Sequence, residues 1–474
     1  MTSLSYVVSL MPPTVLRELE LERHGYKVYP QHGYFVPYDD GRHLQLHAAP
    51  ELRRAQLSKF SEKDADAMEI WDAWLGELGA ILGPILGMMP PKIGSKELGD
   101  IWEQVGLGWK LRGITPAQIA DLTRLMTMSV ADILEERFES RQVLGALAVS
   151  GIIGAWAGPR SPGTAYVMAH HKIGNVGEGQ MGTWGFPEGG MGGVTRAMRR
   201  AAEAFGATIR TRASVERILV HGGRATGVVL EGGEEIYSDV VVAATHPHVT
   251  FLKQIEEKEL PEDFVRAIRR WKTRSGTVKV NLALDRLPEF RSKPGYDPEV
   301  HGGTIVLAES LDEIESAFQD AASGRPAMRP FADICIPSVF DKTLAPPGKH
   351  VMSMFTQWVP HTFSRQPMRA ELEAYADRVV DRLEVVAPGF KSSILHRQVI
   401  GPHDMETEYG LIGGNIFHGE LSVAQLFHMR PAPGYADFRT PIRGLYQASS
   451  ATHGGGGVTG IPALQVVRQV LGAR

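Results

Sequence analysis

The apolar positions of this chain switch between a helical and a strand period, and the switches mark its elements. Met1–Leu10 is apolar and is stopped by Pro12-Pro13; Thr14–His24 then has a short helical pattern. Tyr26–Leu46 alternates around His32-Gly33 and Asp39-Asp40-Gly41, which predicts hairpin strands. Ala48–Leu82 returns to the helical period, with Phe60, Asp64, Met68, Trp71 and Leu75 on one face and Ser61/Asp64 as a capping signal. Thr115–Ser150 is again helical, with Pro116 early in a helix and Ile119, Leu122, Leu125 and Met126 following. Between these lies Leu78–Ile93, the most apolar stretch. It has several readings: a core helix pair broken at Pro84, a mobile lip on an apolar cleft, or a surface that leans on lipid.

The second half begins with a loop-rich packing segment, Gly151–Gly163, whose GxxGxxxG spacing follows no clear strand. Ala165–Lys172 ends in His170-His171, adjacent histidines that do not share a helix face as metal ligands would. A satisfied polar role is expected for them. Pro187–Gly193 is a glycine turn, and Val194, Met198, Ala201 and Phe205 mark an amphipathic helix after it. Thr208–Thr211, Val215–Val220, Thr226–Leu230 and Glu235–Tyr237 have short strand patterns. Asp239–Ala244 is continuously apolar, as in a parallel strand buried on both faces. Lys258–Arg270 and Glu371–Val386 are helical. Ser275–Leu284, Gly303–Leu307, Ala332–Pro337 and His350–Val359 are strands, several of them alternating, which suggests a mixed or antiparallel sheet with one covered face. His396–Pro433 is loop-like. The chain closes with a strand (Gly444–Ala448), a turn (Ser449–Gly457) holding four consecutive glycines, and a helix from Val458. Such a turn either brings bare backbone N–H groups to a ligand or is a flexible loop.

Composition narrows the function classes. The 474 residues suffice for two or three cores. A formal net charge of −4, with no basic stripe, excludes a nucleic-acid footprint. The single cysteine, Cys335, excludes a disulfide framework or a CxxC redox pair and fits a reducing, cytoplasmic compartment. No residues are assigned to a metal. Neither a signal peptide nor an apolar run of membrane-spanning length is legible.

Taken in order, PEGGMGGVTRAM, ASVERILV, DVVVAATHP, GGNIFHGELSVAQLFHMRPAPG and GLYQASSATHGGGGVTG resemble the FAD-dependent oxidoreductases related to phytoene desaturases. The nearest resemblance is to the pyridine nucleotide-disulfide oxidoreductase domain-containing protein 2 family, from Ser5 onward. It implies an α/β fold: a Rossmann-like FAD/NAD(P)-binding domain from residues 1–10, 185–250 and 435–474, and a discontinuous α+β substrate domain from 11–184 and 251–434. FAD is the implied cofactor. Val215 would pass the adenine; Ala448, Ser449 and Ser450 would approach the pyrophosphate and ribityl chain; Gly456, Gly457 and Val458 would face the flavin ring. Two departures are Ser449/Ser450, where relatives tend to have glycine, and Gly454, where they have a proline.

The family also opens with a βαβ unit bearing GxGxxG. The present sequence starts just after the place of that unit. A start placed too late, a partner chain that supplies the unit, and a scaffold that has given up FAD are the explanations. The implied activity is hydride transfer between an apolar substrate and flavin, with His418 and His453 as weak candidates for proton transfer beside His428. Phe417, Leu426, Phe427 and Met429 suggest the apolar substrate. The alternative is a non-catalytic flavoprotein-derived scaffold acting through protein contacts. An amine-oxidase-like oxidase shares the fold, but no aromatic cage is legible. Peripheral membrane contact through 78–93 and homo-oligomerisation are the expected partner modes.

Overall fold

A computed structural model describes residues 3–92, 95–96, 98–174, 182–363 and 368–472. Ile93, which ends the apolar stretch, and parts of the expected domains (1–2, 175–181, 364–367, 473–474) lie outside the described residues.

The central element is a seven-stranded mixed sheet in the spatial order Ile394–Ile400, Thr277–Leu284, His350–Gln357, Phe331–Cys335, Thr304–Leu307, Tyr34–Pro37, His43–Leu46. All its pairings are antiparallel except that of Thr304–Leu307 with Tyr34–Pro37. The alternation in TVKVNLAL explains how the sheet is used. Val278, Val280, Leu282 and Leu284 are fully buried in the main core, with Ile314 of the helix Leu311–Ala322 and Tyr375 and Val379 of the helix Met368–Val386. The intervening Thr277, Lys279 and Asn281 project from the opposite face.

Helices cover that opposite side. Ser61 caps the helix Glu62–Leu86, its hydroxyl accepting from the Asp64 N–H at 3.2 Å. Thr115 and Gln118 form a capping box on Pro116–Thr127. The helix Thr164–Lys172 is buried over most of its length.

The remaining layer is smaller. Leu445–Gln447 pairs in parallel with Val241–Ala243, and Val215–His221, Arg224–Leu230 and Glu235–Tyr237 form an antiparallel meander. The helices Met191–Ala204 and Ile461–Leu471 contribute Val194, Met198 and Leu464 to one apolar cluster with Val8, Met11 and Val15.

Several expectations are corrected. The helix Glu62–Leu86 runs through Pro84 instead of breaking there. Val28–Pro30 pairs with Gly185–Pro187, so the hairpin is only Tyr34–Leu46. Thr208–Thr211 forms no strand. The stretch read as a loop from His396 contains the edge strand Ile394–Ile400 and the helix Pro402–Tyr409; the exposed Leu395 and His396 hid the strand period. Asp239–Ala244 is not buried on both faces: Val240 is 37% and Val242 48% exposed, because among the described residues its single strand partner is Leu445–Gln447. The C-terminal helix begins at Ile461, three residues after Val458, with Gly460 at its N-cap in the left-handed region.

Candidate active site

The polar-bearing face of the large sheet, the segment Leu4–Leu10, the helix Thr164–Lys172 and the C-terminal glycine turn enclose a cavity of about 450 Å³. The segment Leu4–Leu10 is fixed by the antiparallel bridge of Val8 to Gly185 and by Ser9, whose hydroxyl donates to the Thr183 carbonyl at 2.7 Å. Most of the wall is apolar, including Leu10, Trp71, Leu147, Ile153, Phe355 and Phe417. Ser150, the end of the helix Thr164–Lys172 and Ser450 contribute polar groups, and Lys279, Asp333 and Thr304 come from two rows of the sheet. Val306, Asp333, Phe355 and Lys279 align across four strands; Thr304, Cys335, Ser353 and Asn281 form the next row on the same face.

Lys279 is 1% exposed. Its Nζ donates to Ser353 Oγ at 2.8 Å and lies 3.9 Å from the centre of the Tyr6 ring. Burial lowers its pKa to about 7, against the opposing pull of Cys335 and Asp333. Asp333 accepts from the Tyr6 hydroxyl at 2.9 Å. Burial raises its carboxyl to about 6, while Tyr6 and Lys279 hold it from going higher. Cys335 is fully buried and burial pushes its thiol up, so it is a packing residue and no nucleophile. Lys172 also lines the cavity, and burial lowers its pKa.

The turn opposite contributes backbone. Among the described residues no hydrogen-bond acceptor meets the N–H groups of Gly456, Gly457 and Val458. Gly457 has φ +115°, and a Cβ there would meet Leu10 Cδ1 at 2.5 Å. Val458, β-branched, is held at φ +60°, a left-handed conformation that costs such a residue about 1–2 kcal/mol. Arg430 holds the turn. Its guanidinium is 1% exposed and donates to the carbonyls of Phe417, Glu420, Gln425, Ser450 and Thr452 at 2.9–3.4 Å. Burial lowers its pKa to about 10, which leaves it charged at neutral pH.

Residues 136–461 match the family model described as flavin containing amine oxidoreductase. The chain belongs to that family. It is a FAD-dependent oxidoreductase. It is 38% identical over 478 residues to pyridine nucleotide-disulfide oxidoreductase domain-containing protein 2 of Rattus norvegicus, covering 96% of this chain and 82% of that protein. It is 28% identical over 279 residues to the neurosporene-forming phytoene desaturase of Cereibacter sphaeroides, covering 58% of this chain and 51% of that one. In fold it is similar to putrescine oxidase, in a wild-type structure bound to putrescine. The TM-score is 0.56 at 15% identity, covering 98% of this chain and 88% of the other. An oxidoreductase from Methanosarcina mazei gives 0.55 at 15%, covering 99% and 90%.

The residues present fit a flavin. Three unpaired N–H groups in a row are donors for the carbonyl and ring-nitrogen acceptors of a flavin, and glycine lets the backbone reach them. Gly457, Val458 and Ser450 line the cavity directly, so the glycine turn forms one of its walls. Gly456 is at the same turn but packs on Phe417, whose ring a Cβ would meet at 2.4 Å. Ala448 donates its N–H to Ala243 at 2.8 Å and fixes the strand end. The Ser449 hydroxyl is used inside the turn, accepting from Gln447 Nε2 and the Ala451 N–H. Val215 opens the meander, its carbonyl accepting from Gln254 Nε2 at 2.8 Å; it lines neither this cavity nor the smaller one below.

The two histidine candidates lie apart from the catalytic cavity. His418 packs against His246, ring centres 5.5 Å apart. His453 Nε2 is 2.8 Å from the Ile85 carbonyl and faces a second cavity of about 260 Å³. His170 is a partial correction. His171 is satisfied by the Ser150 and Val167 carbonyls, whereas His170 is 2% exposed and has no hydrogen-bond partner on either ring nitrogen among the described residues. It lines both cavities. Burial lowers its pKa to about 3 and keeps it neutral.

Lys279, Asp333, Tyr6 and Arg430 were not singled out from sequence. A lysine at an alternate strand position reads as solvent-facing, and only the cover supplied by Leu4–Leu10 makes Lys279 internal. The usable signal was its setting in TVKVNLAL, a strand otherwise fit for burial.

Proposed function

We propose that this protein dehydrogenates an apolar, uncharged substrate at a C–H bond held between the Gly457–Val458 turn and the Lys279–Asp333–Tyr6 group. The observation that carries this is the composition of the 450 Å³ cavity: broadly apolar, with Lys279, Asp333 and Tyr6 lining it together with Gly457 and Val458 of the turn. FAD, when bound, supplies the two-electron acceptor. The chain's own residues position the substrate by apolar contact and exclude water. Lys279, poised near neutrality, takes at Nζ the proton the substrate loses; Asp333, oriented by Tyr6, supports the charge formed. An ammonium substrate fits poorly, because the Lys279 amine already occupies the Tyr6 face. The single, buried Cys335 supports a cytoplasmic, reducing setting. A homo-oligomer and lipid contact near 78–93 belong to the same proposal; Leu78, Gly79 and Leu82 are buried, and Ile85 and Leu86 line the smaller cavity.

The test is anaerobic flavin bleaching, after FAD incubation and desalting, with long-chain alkenes, alcohols and amines compared. Bleaching by neutral apolar compounds is expected. In Lys279→Met its rate falls about 100-fold or more and loses its rise with pH through about 7, with the flavin band retained. Preferential bleaching by amines overturns the substrate class. No retained flavin together with a sharp melt favours the scaffold alternative.

A further inference from the structure

The helix Leu98–Leu111 carries its apolar residues on the side that faces away from the protein. Leu98, Ile101, Trp102, Val105 and Trp109 are 78%, 41%, 71%, 53% and 66% exposed. At about 100° per residue they fall within an arc of roughly 100°. The other side docks the helix. Asp100, 4% exposed, pairs with Arg439 at 3.4 Å, and Gln104 Nε2 donates to the Lys92 carbonyl at 3.0 Å. Leu107 and Leu111 wall the 260 Å³ cavity. The outward stripe is therefore no by-product of a misplaced helix: its inner face has its own partners.

The chemistry of the stripe selects what covers it. Trp102 and Trp109, two turns apart, are the exposed tryptophans among the described residues. Tryptophan favours the boundary between water and hydrocarbon, where an apolar ring and a polar N–H are both accommodated. Exposed cations flank the helix at Lys96 and Arg112; the Arg112 guanidinium lies 3.8 Å from the centre of the Trp109 ring. In sequence Lys96, Lys110 and Arg112 are balanced by Glu97, Asp100 and Glu103, so it is the apolar residues and interfacial aromatics, rather than a net charge, that suit the stripe to a lipid surface. The stripe is also continuous with an apolar interior. Behind it lies the smaller cavity, lined by Leu82, Ile85, Leu426 and Phe427, and His170 is common to that cavity and the catalytic one.

We infer that Leu98–Leu111 is an in-plane anchor that seats the protein on a lipid bilayer, with the smaller cavity as the vestibule behind it. The vestibule role rests on the apolar-substrate reading above; the anchor does not. Among the described residues no helix is long and apolar enough to cross a membrane, so this contact is confined to the interface.

The full chain, incubated with FAD, is floated with phosphatidylcholine vesicles containing a minor fraction of phosphatidylglycerol. The wild type is expected to float, and its tryptophan fluorescence to be quenched by lipids brominated near the headgroup. Trp102→Glu/Trp109→Glu lowers the bound fraction by roughly tenfold or more. Both side chains are exposed, so its melting temperature stays within a few degrees of wild type. A wild type that neither floats nor is quenched overturns the inference. So does a double variant that floats as well as wild type, or a wild-type dimer that the variant converts to monomer, which makes a second copy the cover. Failed bleaching by apolar compounds with intact flotation removes the vestibule and leaves the anchor standing.

Discussion

The seven-stranded sheet and the parallel pair Val241–Ala243/Leu445–Gln447 are stabilised in different ways. The sheet has a largely apolar face locked into the main core, and its strand Thr277–Leu284 is paired on both sides. It can therefore keep a lysine and an aspartate on its other face. The pair has three residue couples, exposed valines on one side, and depends on distant groups for its position. Arg430 ties its following turn to the loop from Phe417 to Gln425, and Gln447 Nε2 donates to the Thr245 carbonyl at 2.6 Å. A substrate wall built on a continuous ladder is preorganised by the fold. A cofactor wall built on a turn is preorganised by a few buried polar contacts, and its stability follows those contacts.

Acid should break this contrast most strongly. Burial is the largest cause lowering His170 and His246 to about 3 and His418 and His453 to about 4, and the Arg430 charge lowers all four further. The folded state keeps them neutral where the unfolded chain takes up protons. Their contribution is complete above about 6.5 and is lost as pH falls toward 4 and then 3. Each contributes up to about 1.4 kcal/mol per pH unit in that window. Melting temperature should fall steeply between pH 6 and 4 (roughly the span of the ordinary and shifted values), with amide exchange rising first around Phe417–His453. Earlier loss of protection in Thr277–Leu284 would break the contrast.

Replacing Arg430 comes next. Arg430→Met removes a donor from five carbonyls, of which Glu420 and Thr452 keep another, and should cost about 3–5 kcal/mol, measured by chemical denaturation. It should also flatten the acid transition, since a shared positive neighbour is gone. The smallest effect on stability belongs to Gly457→Ala. The backbone conformation costs about 1–3 kcal/mol, and the methyl group displaces Leu10 at the cavity wall. Its clearer signature is reduced flavin retention after desalting, with far-ultraviolet circular dichroism unchanged.

The same contrast explains what was legible in the sequence. Local signals were readable where neighbours in the chain settle the structure. These include the Ser61 cap, the Thr115–Pro116 helix start, the turn at Gly222-Gly223 and the strands of the large sheet. The cofactor family was legible because its motifs are short and ordered, and Gly457, Val458 and Ser450 line the 450 Å³ cavity. What escaped depends on distant cover. Lys279 is internal because Leu4–Leu10 lies across it; His170 is unpartnered because two cavities meet at its ring; Val242 is exposed because burial of an apolar strand depends on what packs against it. Pro84 failed as a breaker because the helix around it is held by the buried Leu78 and Leu82.

The parallel pair has one more consequence, for the order of assembly. Gln447 and Thr245, which meet at its carboxyl end, are 202 residues apart in the chain. The strands Thr277–Leu284, Thr304–Leu307, Phe331–Cys335, His350–Gln357 and Ile394–Ile400 all lie within that interval. Closing so long a loop before they fold gains a few hydrogen bonds against a large loss of chain entropy; once they have folded, the ends are already near one another. The five strands from Thr277–Leu284 to Ile394–Ile400 can thus pair with one another first, and the turn at Gly456–Val458 takes its final place late, when the C-terminal strand docks.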